Sequence, residues 1–124
     1  MVQKRILVID DSKAVTKFLQ MHLERSGLYE VRCEYGGEAG LAAAKQDQPD
    51  MILLDVNMPD MDGGQVAEQI KADPEISGTP IVFLTSVVSA GEAAKEETTI
   101  AGYPVISKET DPRVVLSQIA GMLR

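Results

Sequence analysis

Residues 51–63 read Met51-Ile52-Leu53-Leu54-Asp55-Val56-Asn57-Met58-Pro59-Asp60-Met61-Asp62-Gly63, four apolar residues in a row followed by an aspartate and a turn-forming loop. A short unbroken apolar run bounded by such a loop is the pattern of a strand covered on both faces, which occurs mainly in parallel sheets. Ile6-Leu7-Val8-Ile9 and Pro80-Ile81-Val82-Phe83-Leu84 repeat the pattern. Two further strands are predicted at Tyr29–Cys33 and Tyr103–Ile106.

Helical spacing alternates with these runs. Val15, Phe18, Leu19 and Leu23 define a first helix, with Gly27 placed to cap its end. An alanine-rich helix runs through Leu41–Lys45 after a Gly36-Gly37 turn, and Val66, Ala67 and Ile70 mark a third, ending before Asp73-Pro74. Asp111-Pro112 supplies an N-cap and a first-turn proline for the last helix, whose buried stripe is Val115, Ile119, Met122 and Leu123. Between them, Gly91–Ala101 offers only Ala93, Ala94 and Ile100 as apolar anchors and is expected to be a short, loosely held helix. The count is (βα)5, an α/β, doubly wound, parallel five-stranded sheet.

The 124 residues are expected to form one domain spanning 1–124. Twelve basic against nineteen acidic residues give a net charge of −7 with no basic arm, which disfavours direct contact with nucleic acid or an anionic membrane. A single cysteine, Cys33, excludes an internal disulfide and a cysteine-built metal site and is expected to be a small core residue. Without a signal-like start or a run near 20 apolar residues, a soluble cytoplasmic protein is the expectation.

Ligands of open α/β sheets bind beyond the carboxyl ends of the strands. At those ends stand Asp10-Asp11, Asp55, Thr85-Ser86 and Lys108. Singly, each has an ordinary explanation: a helix cap, a loop start, a solvated lysine. Together, three like charges at one sheet edge need a neutralising partner, and a hard divalent cation such as Mg2+ suits all-oxygen ligands. Competing motifs fail. Pro59 and Asp60 break an EF-hand loop, and no glycine-rich turn follows the first strand. Ser12 breaks the Asp-x-Asp of haloacid dehalogenase-type phosphatases, and His22 has no partner histidine.

From the first strand to the last helix, the ordered set Ile6–Asp11, Met51–Gly63, Ile81–Ser86 and Lys108 resembles the receiver domain of bacterial two-component response regulators. The resemblance implies a flavodoxin-like sheet of strand order 2-1-3-4-5. It makes Asp55 the phosphoryl acceptor, with Mg2+ held by Asp10, Asp11, Asp55 and the backbone carbonyl of Asn57. Thr85 and Lys108 would bind phosphoryl oxygens, with Ser86 beside the switch threonine, and Asn57 and Val87 would tune dephosphorylation. The implied partners are a sensor histidine kinase or phosphotransfer protein and a downstream target protein, for a monomer or weak dimer that is not an enzyme toward external substrates. Two features depart from the family. Glu109 replaces the proline that usually follows the lysine through a cis bond, so a trans Lys108–Glu109 bond is expected. Val105 occupies the place of a switching aromatic, with Tyr103 two residues earlier on the same side of the strand. An inward aromatic flip is therefore not expected. Activation should instead repack the loop after Thr85 and Gly91–Ala101, with output at a surface including Tyr103 and Val105. A phosphate-independent interaction module, a small Mg2+-dependent phosphotransferase or phosphatase, and the receiver piece of a larger regulator are the alternatives.

Overall fold

A computed structural model describes residues 2–86 and 99–123. The elements run β1 (Lys4–Ile9), α1 (Lys13–Arg25), β2 (Tyr29–Glu34), α2 (Gly37–Asp47), β3 (Met51–Asp55), α3 (Gly63–Ala72), β4 (Ile81–Thr85), β5 (Thr99–Ile100), β6 (Tyr103–Ser107) and α4 (Pro112–Met122). The sheet order is β2-β1-β3-β4-β6-β5. The five long strands are parallel, in the order expected, with β6 the fifth of the sequence reading.

The sixth strand corrects that reading. Thr99–Ile100, assigned to the end of a helix, instead pairs antiparallel with Tyr103–Pro104 at the sheet edge. Two β-branched residues favour extended backbone, and the two residues that follow enforce the reversal. Ala101 and Gly102 have φ of 52° and 86°, positive at both central positions as a tight type I′ hairpin requires. The rest of the expected helix, residues 91–98, lies outside the described residues.

Side chains alternate across the sheet, so β1, β3, β4 and β6 each feed two cores. Leu7, Ile9, Ile52, Leu54, Ile81 and Phe83 pack with Leu41, Val66 and Ile70 of α2 and α3. Ile6, Val8, Met51, Leu53, Leu84 and Ile106 pack with Leu19, Leu23, Val115 and Ile119 of α1 and α4. β1 beyond its first two residues and all of β3 and β4 are buried, which is why their sequences show no polar alternation.

Helix ends follow the local chemistry. Ser12 caps α1 by accepting from the Val15 N–H, and Gly27, at φ 78°, turns the chain after it. Asp62 and Gln65 form a reciprocal capping box on α3, and Asp111 caps α4 with Pro112 in its first turn. Gly63 starts α3 because the chain passes close to the backbone of β3. A Cβ there would run into the Asp55 carbonyl oxygen and approach Phe83 Cε1 to 3.0 Å. Gly63→Ala should therefore cost about 2 kcal/mol, read as a lower urea midpoint. An unchanged midpoint would mean that the loop after Asp55 moves aside freely.

Candidate functional site

The parallel register delivers four strand ends to one edge. Ile9 lies beside Leu54, Asp55 beside Leu84, and Thr85 beside Ser107. Asp10, Asp55, Thr85 and Lys108 therefore meet where the sequence places them. Asp10 and Asp55 are 0% and 5% exposed, Thr85 is buried, and Asp11 faces solvent.

Lys108 holds the two buried carboxylates together. Its Nζ lies 2.8 Å from Asp10 Oδ2 and 3.1 Å from Asp55 Oδ1. The remaining contacts orient the carboxylates: the Ser12 N–H donates to Asp10 Oδ1 at 2.9 Å, and the Asn57 N–H to Asp55 Oδ1 at 3.4 Å. Burial alone would lower the lysine's pKa, but the two acids outweigh it and the ammonium is held charged. Burial pushes the Asp55 carboxyl up to about 6; the Asp10 charge adds to this, and Lys108 and the Asn57 N–H only partly oppose it.

A raised acid has a definite sign. Above pH 6 the native state carries a carboxylate that is more comfortable in the unfolded chain. As pH falls through 6 toward the ordinary carboxylate range, the native state takes up the proton first and stability is regained. In divalent-free buffer, Asp55→Asn should thus melt higher than wild type at pH 7, with the gap narrowing by pH 5. A gap independent of pH would show that Asp55 is not strained in its charged form.

One oxygen from each of Asp10, Asp11 and Asp55 can be chosen so that all lie within 4.8 Å of one another. Asp10 Oδ2 is buried and, apart from its ion contact with Lys108, accepts no hydrogen bond. Hard oxygen donors, a net negative charge and a buried carboxylate oxygen whose one partner is the Lys108 ammonium suit a small divalent cation.

Other sequence-derived positions separate. Asn57 is exposed in the loop beside Asp55 and Ser86 is exposed at the end of β4, while Val87 lies outside the described residues. Val105, expected at an output surface, is 4% exposed and packed in the core of the α2–α3 face. Its β-branched side chain points inward opposite Phe83, so of that pair only Tyr103 reaches the surface. Tyr103 packs edge-on against Phe83 at 5.6 Å between ring centres, with Lys71 Nζ 5.7 Å from its own ring centre. The Lys108–Glu109 bond is trans, as expected. Cys33 is half-buried against the α1 side of the sheet, and burial pushes its thiol up to about 11, which disfavours the thiolate at neutral pH.

Asp60 has a part that sequence reading missed. Its carboxylate accepts from the N–H groups of Gly37 and Glu38 at 3.0 and 3.2 Å, capping α2 from the loop that follows Asp55. Those two bonds hold its carboxyl below the usual range. Only the unfilled cap at Gly36, which has no side chain, hints that an acceptor from elsewhere is needed.

Fold, ordered site residues and a family match agree: residues 6–120 match the response regulator receiver domain, and the chain belongs to that family. It is 42% identical over 88 residues to the response regulator PleD of Caulobacter vibrioides, spanning 71% of this chain but only 19% of PleD. It is 38% identical over 82 residues to protein PilH of Pseudomonas aeruginosa, covering 66% of this chain and 67% of PilH. Among solved structures, the chemotaxis protein CheY4 of Vibrio cholerae superposes with a TM-score of 0.83 at 28% identity, covering 98% of this chain and all of that one. Among the described residues, no helix is long and apolar enough to cross a membrane.

Proposed function

We propose that this receiver is a cytoplasmic, phosphorylation-dependent switch that accepts a phosphoryl group on Asp55 from a phosphohistidine of a sensor histidine kinase or phosphotransfer protein. In its phosphorylated form it binds a downstream target protein with altered affinity. The observation that carries this reading is the Lys108 ammonium bridging Asp10 and Asp55 at 2.8 and 3.1 Å, with Asp11 at the mouth.

Asp10, Asp11 and Asp55 would hold Mg2+, with the Asn57 backbone carbonyl as a further ligand. When bound, the cation supplies positive charge that offsets the phosphoryl oxygens. The chain's own residues do the rest. Asp55 offers the attacking oxygen from a fixed position at the end of β3. A P–O bond forms there as the donor's P–N bond breaks, and the electron pair leaves with the imidazole nitrogen. Lys108 turns from the carboxylates toward the transferred group, and the Thr85 hydroxyl donates to one of its oxygens. Positioning and charge compensation supply most of such catalysis. The product adds about −2 of charge at the sheet edge, enough to re-pair Lys108 and draw on Thr85. Since the acceptor is the protein itself, the chain is not an enzyme toward external substrates.

Incubation with phosphoramidate should add one hydroxylamine-labile phosphoryl group, only when Mg2+ is present. Phosphate that resists hydroxylamine, or uptake indifferent to the cation, would overturn the reading. Millimolar Mg2+ alone should raise the melting temperature by mass action, and Asp11→Asn should remove most of that gain without unfolding the protein, because Asp11 is exposed. A wild-type melting temperature indifferent to Mg2+ would contradict the metal assignment.

A further inference from the structure

The bridge from Lys108 to two carboxylates depends on how its backbone is held, and the residue before it does the holding. Ser107 ends β6, is 1% exposed and stands in register with Thr85. Its carbonyl accepts the Thr110 N–H at 3.0 Å, closing a four-residue turn with Lys108 and Glu109 at the centre. Its hydroxyl accepts the Glu109 N–H at 3.1 Å, a second tie inside the same turn. On the other side, the Lys108 N–H donates to the Thr85 carbonyl at 2.8 Å.

The peptide groups on both sides of the Lys108 Cα are thus fixed, one by β4 and one by the Ser107 hydroxyl. A lysine side chain has four rotatable bonds, so a small change in the direction of its Cα–Cβ bond is magnified at Nζ. The residue after the lysine carries an N–H, and the side chain of the buried Ser107 supplies its acceptor.

We propose that Ser107 is a positioning residue for phosphoryl transfer: its buried hydroxyl locks the turn that aims Lys108 at the acceptor carboxylate. This rests on the reading of Asp55 as acceptor. The role belongs to the oxygen at position 107, so threonine preserves it and alanine removes it.

The test compares wild type, Ser107→Ala and Ser107→Thr. It reads the rate of phosphoryl uptake from phosphoramidate at saturating Mg2+, the Mg2+ affinity, and the Lys108 ammonium resonance in divalent-free buffer by heteronuclear NMR. Ser107→Ala should slow uptake roughly tenfold or more, the scale of a misaimed charged group. It should leave Mg2+ affinity unweakened and shift the Lys108 signal, and Ser107→Thr should restore both rate and signal. A Ser107→Ala rate equal to wild type would overturn the proposal. So would a rate loss matched by loss of Mg2+ affinity, or a folded Ser107→Thr as slow as Ser107→Ala. If wild type takes up no phosphoryl group, the acceptor assignment fails, and the ammonium signal still decides the aiming role. A shift in Ser107→Ala that threonine reverses sustains it; no shift refutes it.

Discussion

Replacing Lys108 with alanine should destabilise the divalent-free protein at pH 7 by about 3 kcal/mol, a large share of the stability of a domain this size. Lys108 is only 18% exposed, and it faces Asp10 and Asp55 in its own immediate neighbourhood. Removing it strands two buried carboxylates against each other, and a broken buried ion pair costs more than the intact pair contributes. Two interventions should recover part of the loss: Mg2+, which brings positive charge back, and Asp55→Asn in the same chain, which removes one of the repelling acids. The coupling is measurable as a double-mutant cycle in urea. A Lys108→Ala variant as stable as wild type without Mg2+ would mean that the bridge carries no energetic weight.

Asp55→Asn alone should move stability the other way. A carboxyl held near 6 instead of near 4 reports a native state that disfavours the charge by on the order of 3 kcal/mol at neutral pH. The amide has nearly the same shape and no charge, so the variant should be more stable while losing all phosphoryl uptake. Stability and function opposed at one residue are the mark of a site selected for chemistry. An Asp55→Asn protein that is less stable than wild type would show that the bond to Lys108 outweighs burial.

Much of this is legible in the sequence. Ile6–Ile9 and Met51–Leu54 read as doubly covered strands because burial on both faces removes polar alternation, and β1 and β3 are buried as that reading requires. Once the strands are parallel, topology alone carries Asp10, Asp55, Thr85 and Lys108 to one edge. What escaped the sequence depended on distant partners or on conformation. The Asp60 cap joins residues more than twenty positions apart, a pairing no local spacing announces. The β5–β6 hairpin hangs on an alanine with φ of 52°, a conformation that alanine rarely adopts and local propensity therefore missed. The position of Val105 beside the site suggests a surface, but inward-facing strand residues beside a buried Phe83 belong to the core. Ser107 gives no signal in sequence, because a serine before a lysine acquires meaning only through the turn bonds.

Among the clustered acids, Asp55 is the proposed site of the phosphoryl group. The most direct test is to phosphorylate wild type with phosphoramidate and Mg2+, trap the acyl phosphate by borohydride reduction, and map the modified residue by peptide mass spectrometry. A single modification at Asp55 is expected, absent from Asp55→Asn processed in parallel. Modification at Asp10, Asp11, a serine or a threonine, or an undiminished signal in Asp55→Asn, would contradict it.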